Sequence, residues 1–318
     1  MLTFCHDSSD RLSAMRKMFS VAAIAQTRVC LLFAAFAVLA CPSLATAEPV
    51  QIKPSLLRLN GNFEMPAGKK IEDGSVIILL HGTLSYAGQE TIAALQKNLK
   101  TRGVASLAIT LSLGIDDRKG PRACDVVHDY ALAGTKREIS LWMEWLAAQH
   151  PRSIDLLGFS SGGAQVAALA PELANARRII LVAPAFANSN DQETLYQRAF
   201  GHPLKPELEE ARKLPLEKRS VDFLTCKQAP VLGATFLDGY APRPPSLAAR
   251  TGHPTLVVVA GKDEVVPDLK TKLPSDVKPV VIEGATHFFP DLFNEEAADA
   301  ITRFVTAPRA EITNSARP

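Results

Sequence analysis

Five residues, Gly158-Phe159-Ser160-Ser161-Gly162, constrain this chain more than any others. They stand between a short apolar run at 154–157 and a run of small residues at 163–173. The first reads as a strand, the second as a helix suited to close packing on a sheet. A serine in G-x-S-x-G at a strand-to-helix junction sits on a sharp turn that exposes its hydroxyl. Positions two before and two after it must then lack a bulky side chain, and only Ser160 has glycine at both. Ser161 has Phe159 two residues before it and is rejected as the nucleophile. The bare pattern also arises by chance in Gly/Ser-rich turns; the flanking strand and helix argue against that reading here.

The rest of the chain repeats the same rhythm. Residues 75–80 (SVIILL) and 255–260 (TLVVVA) are continuous apolar runs, as expected of strands buried on both faces of a parallel sheet. Further strands are expected at 104–110, 178–182 and 277–282, with helices at 88–102, 136–149 and 294–305. Asn60-Gly61, flanked by 55–59 and 62–65, reads as a two-residue hairpin turn. Strands alternating with helices of this length predict an α/β fold with a mostly parallel sheet covered on both faces. Residues 184–252 break the rhythm with helical pieces at 191–200 and 206–213 and with Pro242, Pro244 and Pro245. The stretch is too long for a plain connection and reads as an insertion over one sheet edge.

The N-terminal segment reads as a targeting signal. Residues 29–40 (VCLLFAAFAVLA) form an apolar run preceded by Arg16, Lys17 and Arg28 and followed by Ala45-Thr46-Ala47. The order basic, apolar, small-x-small is that of an export signal, 1–47, with a mature chain starting at Glu48 in the periplasm or outside the cell. A retained anchor helix and a lipid attachment at Cys41 are the weaker readings. Removing 1–47 takes four basic and two acidic side chains, so 35 basic and 33 acidic become 31 of each. A nucleic-acid binder would carry a basic excess or stripe, so no nucleic-acid partner is expected. No apolar run after residue 50 is long enough to span a bilayer.

A serine hydroxyl needs a base, and the base needs an orienting acid. Sheets of this kind gather catalytic groups at the carboxyl ends of their strands. His287, in Glu283-Gly284-Ala285-Thr286-His287, follows the last expected strand. Asp263 follows the strand at 255–260, with Glu264 as its adjacent competitor. A helix cap for Asp263 and a buried structural ring for His287 are the plain alternatives. His81-Gly82-Thr83 follows the strand at 75–80, where the loop supplies one oxyanion donor. The expected donors are the N–H groups of Thr83 and Ser161, with His81 bracing the loop. His128 could at most border the pocket. No histidine/carboxylate cluster has metal-ligand spacing, so no cofactor is expected.

Taken in order, His81-Gly82, Gly158-x-Ser160-x-Gly162, Gly261-x-Asp263 with Val266-Pro267, and Gly284-x-x-His287 resemble the landmarks of the α/β-hydrolases of the esterase, lipase or thioesterase kind. The resemblance covers roughly residues 56–305. It implies an eight-stranded, mostly parallel sheet with a cap after the sixth strand. The oxyanion loop, His81-Gly82-Thr83-Leu84, lacks the glycine run of some lipases and carboxylesterases. The expected function is hydrolysis of a small-molecule ester or thioester by Ser160, His287 and Asp263. An amidase or peptidase with the same triad, or a non-catalytic scaffold, are the alternatives.

Cys5, Cys30 and Cys41 leave with the signal, so Cys124 and Cys226 alone remain. Both lie in loops leaving the carboxyl edges of parallel strands, on the same side of the sheet. Export would permit their oxidation, so a Cys124–Cys226 bridge between the polar loop at 114–130 and the cap is expected. Two separate buried thiols are the alternative.

Overall fold

The computed structural model describes residues 47–54 and 56–308. The expected signal, 1–47, lies outside them except for Ala47. Eight strands form one sheet in the order β1-β2-β4-β3-β5-β6-β9-β10. They are β1 (Glu48–Ile52), β2 (Leu59–Glu64), β3 (Ser75–Leu80), β4 (Ala105–Thr110), β5 (Ser153–Phe159), β6 (Ala176–Val182), β9 (Thr255–Ala260) and β10 (Val280–Ile282). β2 runs antiparallel to both β1 and β4, and every other pairing is parallel.

Side chains alternate across the pleat, so one strand feeds two cores. On β3, Val76, Ile78 and Leu80 join one apolar cluster while Ile77 and Leu79 join the other. All five are fully buried, at roughly 1.5–3 kcal/mol each. Helices α1 (Glu90–Thr101) and α8 (Leu292–Thr306) cover the second face, through Ile92, Leu95, Leu99 and Ile301. Helices α2 (Leu132–Ala147) and α3 (Ser161–Leu169) cover the first, through Ile139, Trp142, Val166 and Leu169. These spacings of three and four residues put one apolar stripe of each helix on the sheet.

Asn60-Gly61 is not a turn, contrary to the sequence expectation. Both residues lie inside β2, where Asn60 pairs with Thr110 and Gly61 with Ile109. The glycine serves close approach instead, since a Cβ there would stand 3.0 Å from the Ala108 carbonyl oxygen. Asn60 donates its amide to the Arg118 carbonyl at 3.0 Å. The real hairpin lies upstream, with β1 folded onto β2.

The insertion between β6 and β9 contains α4 (Ser189–Phe200), α5 (Lys205–Lys213), a two-stranded antiparallel sheet of β7 (Lys218–Phe223) and β8 (Cys226–Leu232), and α6 (Gly233–Gly239). The two strands were not foreseen. Tyr196, Leu204, Val221, Phe223 and Phe236 of this segment join the same apolar cluster as β3 and α2. A short helix, α7 (Leu269–Lys272), follows β9.

Candidate active site

The turn from β5 to α3 is as tight as the glycine pair implied. A Cβ at position 158 would lie 2.3 Å from the Gly162 carbonyl oxygen, and one at 162 would lie 2.4 Å from the His81 carbonyl oxygen. Ser160 itself takes φ 55° and ψ −123°, a strained backbone for an L residue. Main-chain bonds fix it there, including a longer one from the Ala164 N–H to its carbonyl at 3.3 Å. Its N–H donates to the Val182 carbonyl at 3.0 Å, and its carbonyl accepts from Gly163 and Ala185, each at 2.9 Å.

Three distant segments converge on this turn. Ser160 Oγ and His287 Nε2 are 2.9 Å apart. His287 Nδ1 lies 3.0 and 2.9 Å from the two Asp263 carboxylate oxygens. With Nδ1–H donating to the carboxylate, Nε2 is left to accept the serine hydroxyl proton. Asp263 Oδ1 also accepts from the Val265 and Val266 N–H groups, at 2.9 and 2.7 Å. Burial alone would raise this carboxyl. The bond and charge of His287 and the two backbone N–H groups outweigh it and hold Asp263 below its ordinary range. Glu264 instead accepts the His287 backbone N–H at 3.1 Å, bracing the loop rather than the ring.

The loop after β3 stands beside the serine. A Cβ at Gly82 would be 3.2 Å from Ser160 Cβ and 3.6 Å from its Oγ. Thr83 and Ser161 both line the cavity at this point. Among the described residues neither of their N–H groups donates to a backbone carbonyl. Ser161 is the first residue of α3, where helix N–H groups are unspent by geometry.

The His81 ring is held in a brace. Its Nδ1 donates to the Gly82 carbonyl at 2.8 Å, while Nε2 accepts from the Leu111 N–H at 3.2 Å and from Arg118 Nη2 at 3.1 Å. Burial first, and the Arg118 charge second, lower its pKa to about 3, so the ring is neutral. Arg118 also donates to the carbonyls of Leu111, Ser85 and Gly120. The Arg122 N–H donates to the Leu84 carbonyl at 2.7 Å. Residues of the polar loop thus hold the loop that carries Thr83 in place, a role sequence reasoning missed. A buried arginine has no local pattern to announce it.

Cys124, in this polar loop, is bonded to Cys226 at the start of β8, with Cα atoms 5.4 Å apart. His128 is fully buried near this link, bonded to the Tyr130 hydroxyl and to Arg122 Nε, and does not border the cavity.

A cavity of about 640 Å³ opens beside Thr83 and Ser161, a size suited to a small organic ligand. Its roof is the insertion, through Leu195, Tyr196, Phe200, Leu224 and Tyr240, and Arg243 is its most buried cation. Among the described residues, no group of three or more His, Cys, Asp or Glu side chains could hold a metal ion, and no helix is long and apolar enough to cross a membrane.

The model of the alpha/beta hydrolase family matches residues 77–303. Among solved structures, Est1E from Butyrivibrio proteoclasticus is 20% identical with a TM-score of 0.58, over 85% of this chain and 100% of that one. An alpha-beta serine hydrolase homologue from Coxiella burnetii is also 20% identical, with a TM-score of 0.51 over 82% of this chain and 98% of that one. The esterase domain of a Rhodothermus marinus protein is 14% identical, with a TM-score of 0.52 over 81% and 97%. Identities this low speak for the shared fold alone. No curated protein matches the chain at a significant level.

Proposed function

From the premise that this chain belongs to the alpha/beta hydrolase family, we propose that it is a serine hydrolase of carboxylic esters or thioesters. The observation that carries this reading is the relay from Ser160 Oγ through the His287 ring to the Asp263 carboxylate, with 2.9 Å at either end.

Ser160 Oγ attacks the ester carbonyl carbon as its proton passes to His287 Nε2. The carbonyl oxygen becomes an oxyanion, which the Thr83 and Ser161 N–H groups bind. Asp263 stays ionised and stabilises the imidazolium. The C–O or C–S bond then breaks, and the departing alkoxide or thiolate takes the proton from Nε2. Water, deprotonated by the same nitrogen, attacks the acyl-serine and releases the acid. The triad needs no metal for these steps.

The same reading takes the enzyme out of the cytoplasm, through the signal at 1–47. The Cys124–Cys226 bond supports export, because such bonds persist in oxidising compartments. Rates on p-nitrophenyl esters of graded acyl length, with an anilide control, test the activity. Ester turnover that Ser160→Ala abolishes supports the proposal; anilide turnover exceeding ester turnover would redirect it to an amidase.

A further inference from the structure

Arg243 is anchored to the catalytic turn through the main chain. Its N–H and carbonyl both bond to Ala187, at 2.9 and 2.8 Å. Two residues earlier, the Ala185 N–H donates to the Ser160 carbonyl at 2.9 Å. At most about 7 Å of chain separates Ala185 from Ala187. Arg243 lines the cavity from a strip tied to the Ser160 carbonyl through Ala185.

Its donors are incompletely used. Nη2 donates to the Asp238 carbonyl at 3.2 Å and lies 3.6 Å from the Asp238 carboxylate. That carboxylate is already engaged by the Leu132 N–H at 3.0 Å. Nε is buried and, among the described residues, has no acceptor. Nε is closed off from the cavity, so the donor a ligand can reach is Nη1, which makes no hydrogen bond among the described residues; an acceptor arriving with a ligand would use it. The side chain is only 14% exposed. The cavity's other cations differ. Lys272 faces Asp191 at 3.8 Å, and both Lys272 and Arg198 are exposed.

The roof contributes Leu195, Phe200 and Leu224 together with the rings of Tyr196 and Tyr240. A ligand that fills the space meets carbon at these roof residues and a cation at Arg243. Guanidinium suits a carboxylate, whose oxygens match its planar donors.

We infer that Arg243 recognises a free carboxylate on the substrate, so that the ester this site prefers carries an anionic carboxylate, on its acyl or its leaving side, rather than being neutral. The inference rests on the esterase reading for the word ester, but not for the anion site.

Two measurements separate the claims. The first compares kcat/KM for mono-p-nitrophenyl glutarate with p-nitrophenyl valerate, and for 3-butyryloxybenzoate with phenyl butyrate, so that the carboxylate lies on the acyl or the leaving side. The native enzyme should favour the acidic member of at least one pair by about tenfold or more. Arg243→Gln should bring that ratio to about one, mainly through KM, and Arg243→Lys should restore part of it. The ratio cancels any general loss of activity. The second measures calorimetric binding of monobutyl glutarate to Ser160→Ala protein, with and without Arg243→Gln. Arg243-dependent binding without native turnover would keep the anion site and remove the esterase reading. Turnover of neutral esters with no acidic preference, or a preference that survives Arg243→Gln, would overturn the role of Arg243.

Discussion

A methyl group on Gly162 would stand 2.4 Å from the His81 carbonyl oxygen. The turn that carries Ser160 and the loop that carries Thr83 are therefore in backbone contact. Gly162→Ala should lower stability by about 1–3 kcal/mol through overpacking and should also cut activity, because relief requires the two loops to part. Urea denaturation and ester kinetics on the variant check this. Native stability together with native kcat would contradict it.

Asp263 and Glu264 are adjacent acids in different roles. Asp263 holds the His287 ring, while Glu264 accepts only the His287 backbone N–H. Asp263→Asn should reduce kcat by about ten-thousandfold, since an amide favours the wrong imidazole tautomer. Glu264→Gln should cost about tenfold or less. Steady-state kinetics of both variants decide the assignment, and the reverse ranking would move the acid to Glu264.

The Cys124–Cys226 bond spans a sequence separation of 102 residues. Chain-entropy arithmetic gives about 4–5 kcal/mol for a loop of this length, often less in practice. The Cys124→Ser, Cys226→Ser double variant should therefore unfold at markedly lower denaturant. Thiol titration of denatured, non-reduced protein beginning at Glu48 should find none free; two reactive thiols would remove the bridge.

His81 makes stability depend on pH. Its folded pKa is lowered to about 3, against an ordinary value of 6.5. Between these values the unfolded chain binds a proton that the folded chain refuses. Stability from this group is complete above pH 6.5 and falls as the pH drops toward 3, by up to about 1.4 kcal/mol per pH unit. Asp263 adds to acid lability further down, since its lowered pKa gives stability that is lost as pH falls through the folded value. Urea unfolding at pH 7 and pH 5 should show a smaller difference in His81→Gln than in the native protein. Equal differences would argue against a neutral, buried His81.

The parts of the fold that could be read in advance were those governed by burial on two faces. The continuous apolar runs at Ser75–Leu80 and Thr255–Ala260 became β3 and β9 with those bounds. Local turn chemistry misled at Asn60-Gly61, where pairing with β4 outweighed the turn preference. The β7–β8 hairpin gave too little signal. Its turn is Leu224-Thr225, without glycine or asparagine, and Leu224 takes φ 58°. Ser160, Asp263 and His287 could be nominated because strand ends mark where side chains collect. Arg118 and Arg243 could not, since each acts through carbonyls and cavity walls that only the folded chain creates.

The central claim is that Ser160 is the activated nucleophile. Treating the mature protein with a fluorophosphonate and mapping the adduct by peptide mass spectrometry tests it most directly. The account predicts one phosphonylated residue, Ser160, with labelling lost in Ser160→Ala and strongly slowed in His287→Ala. An adduct on Ser161, or no adduct in a folded protein, would contradict it.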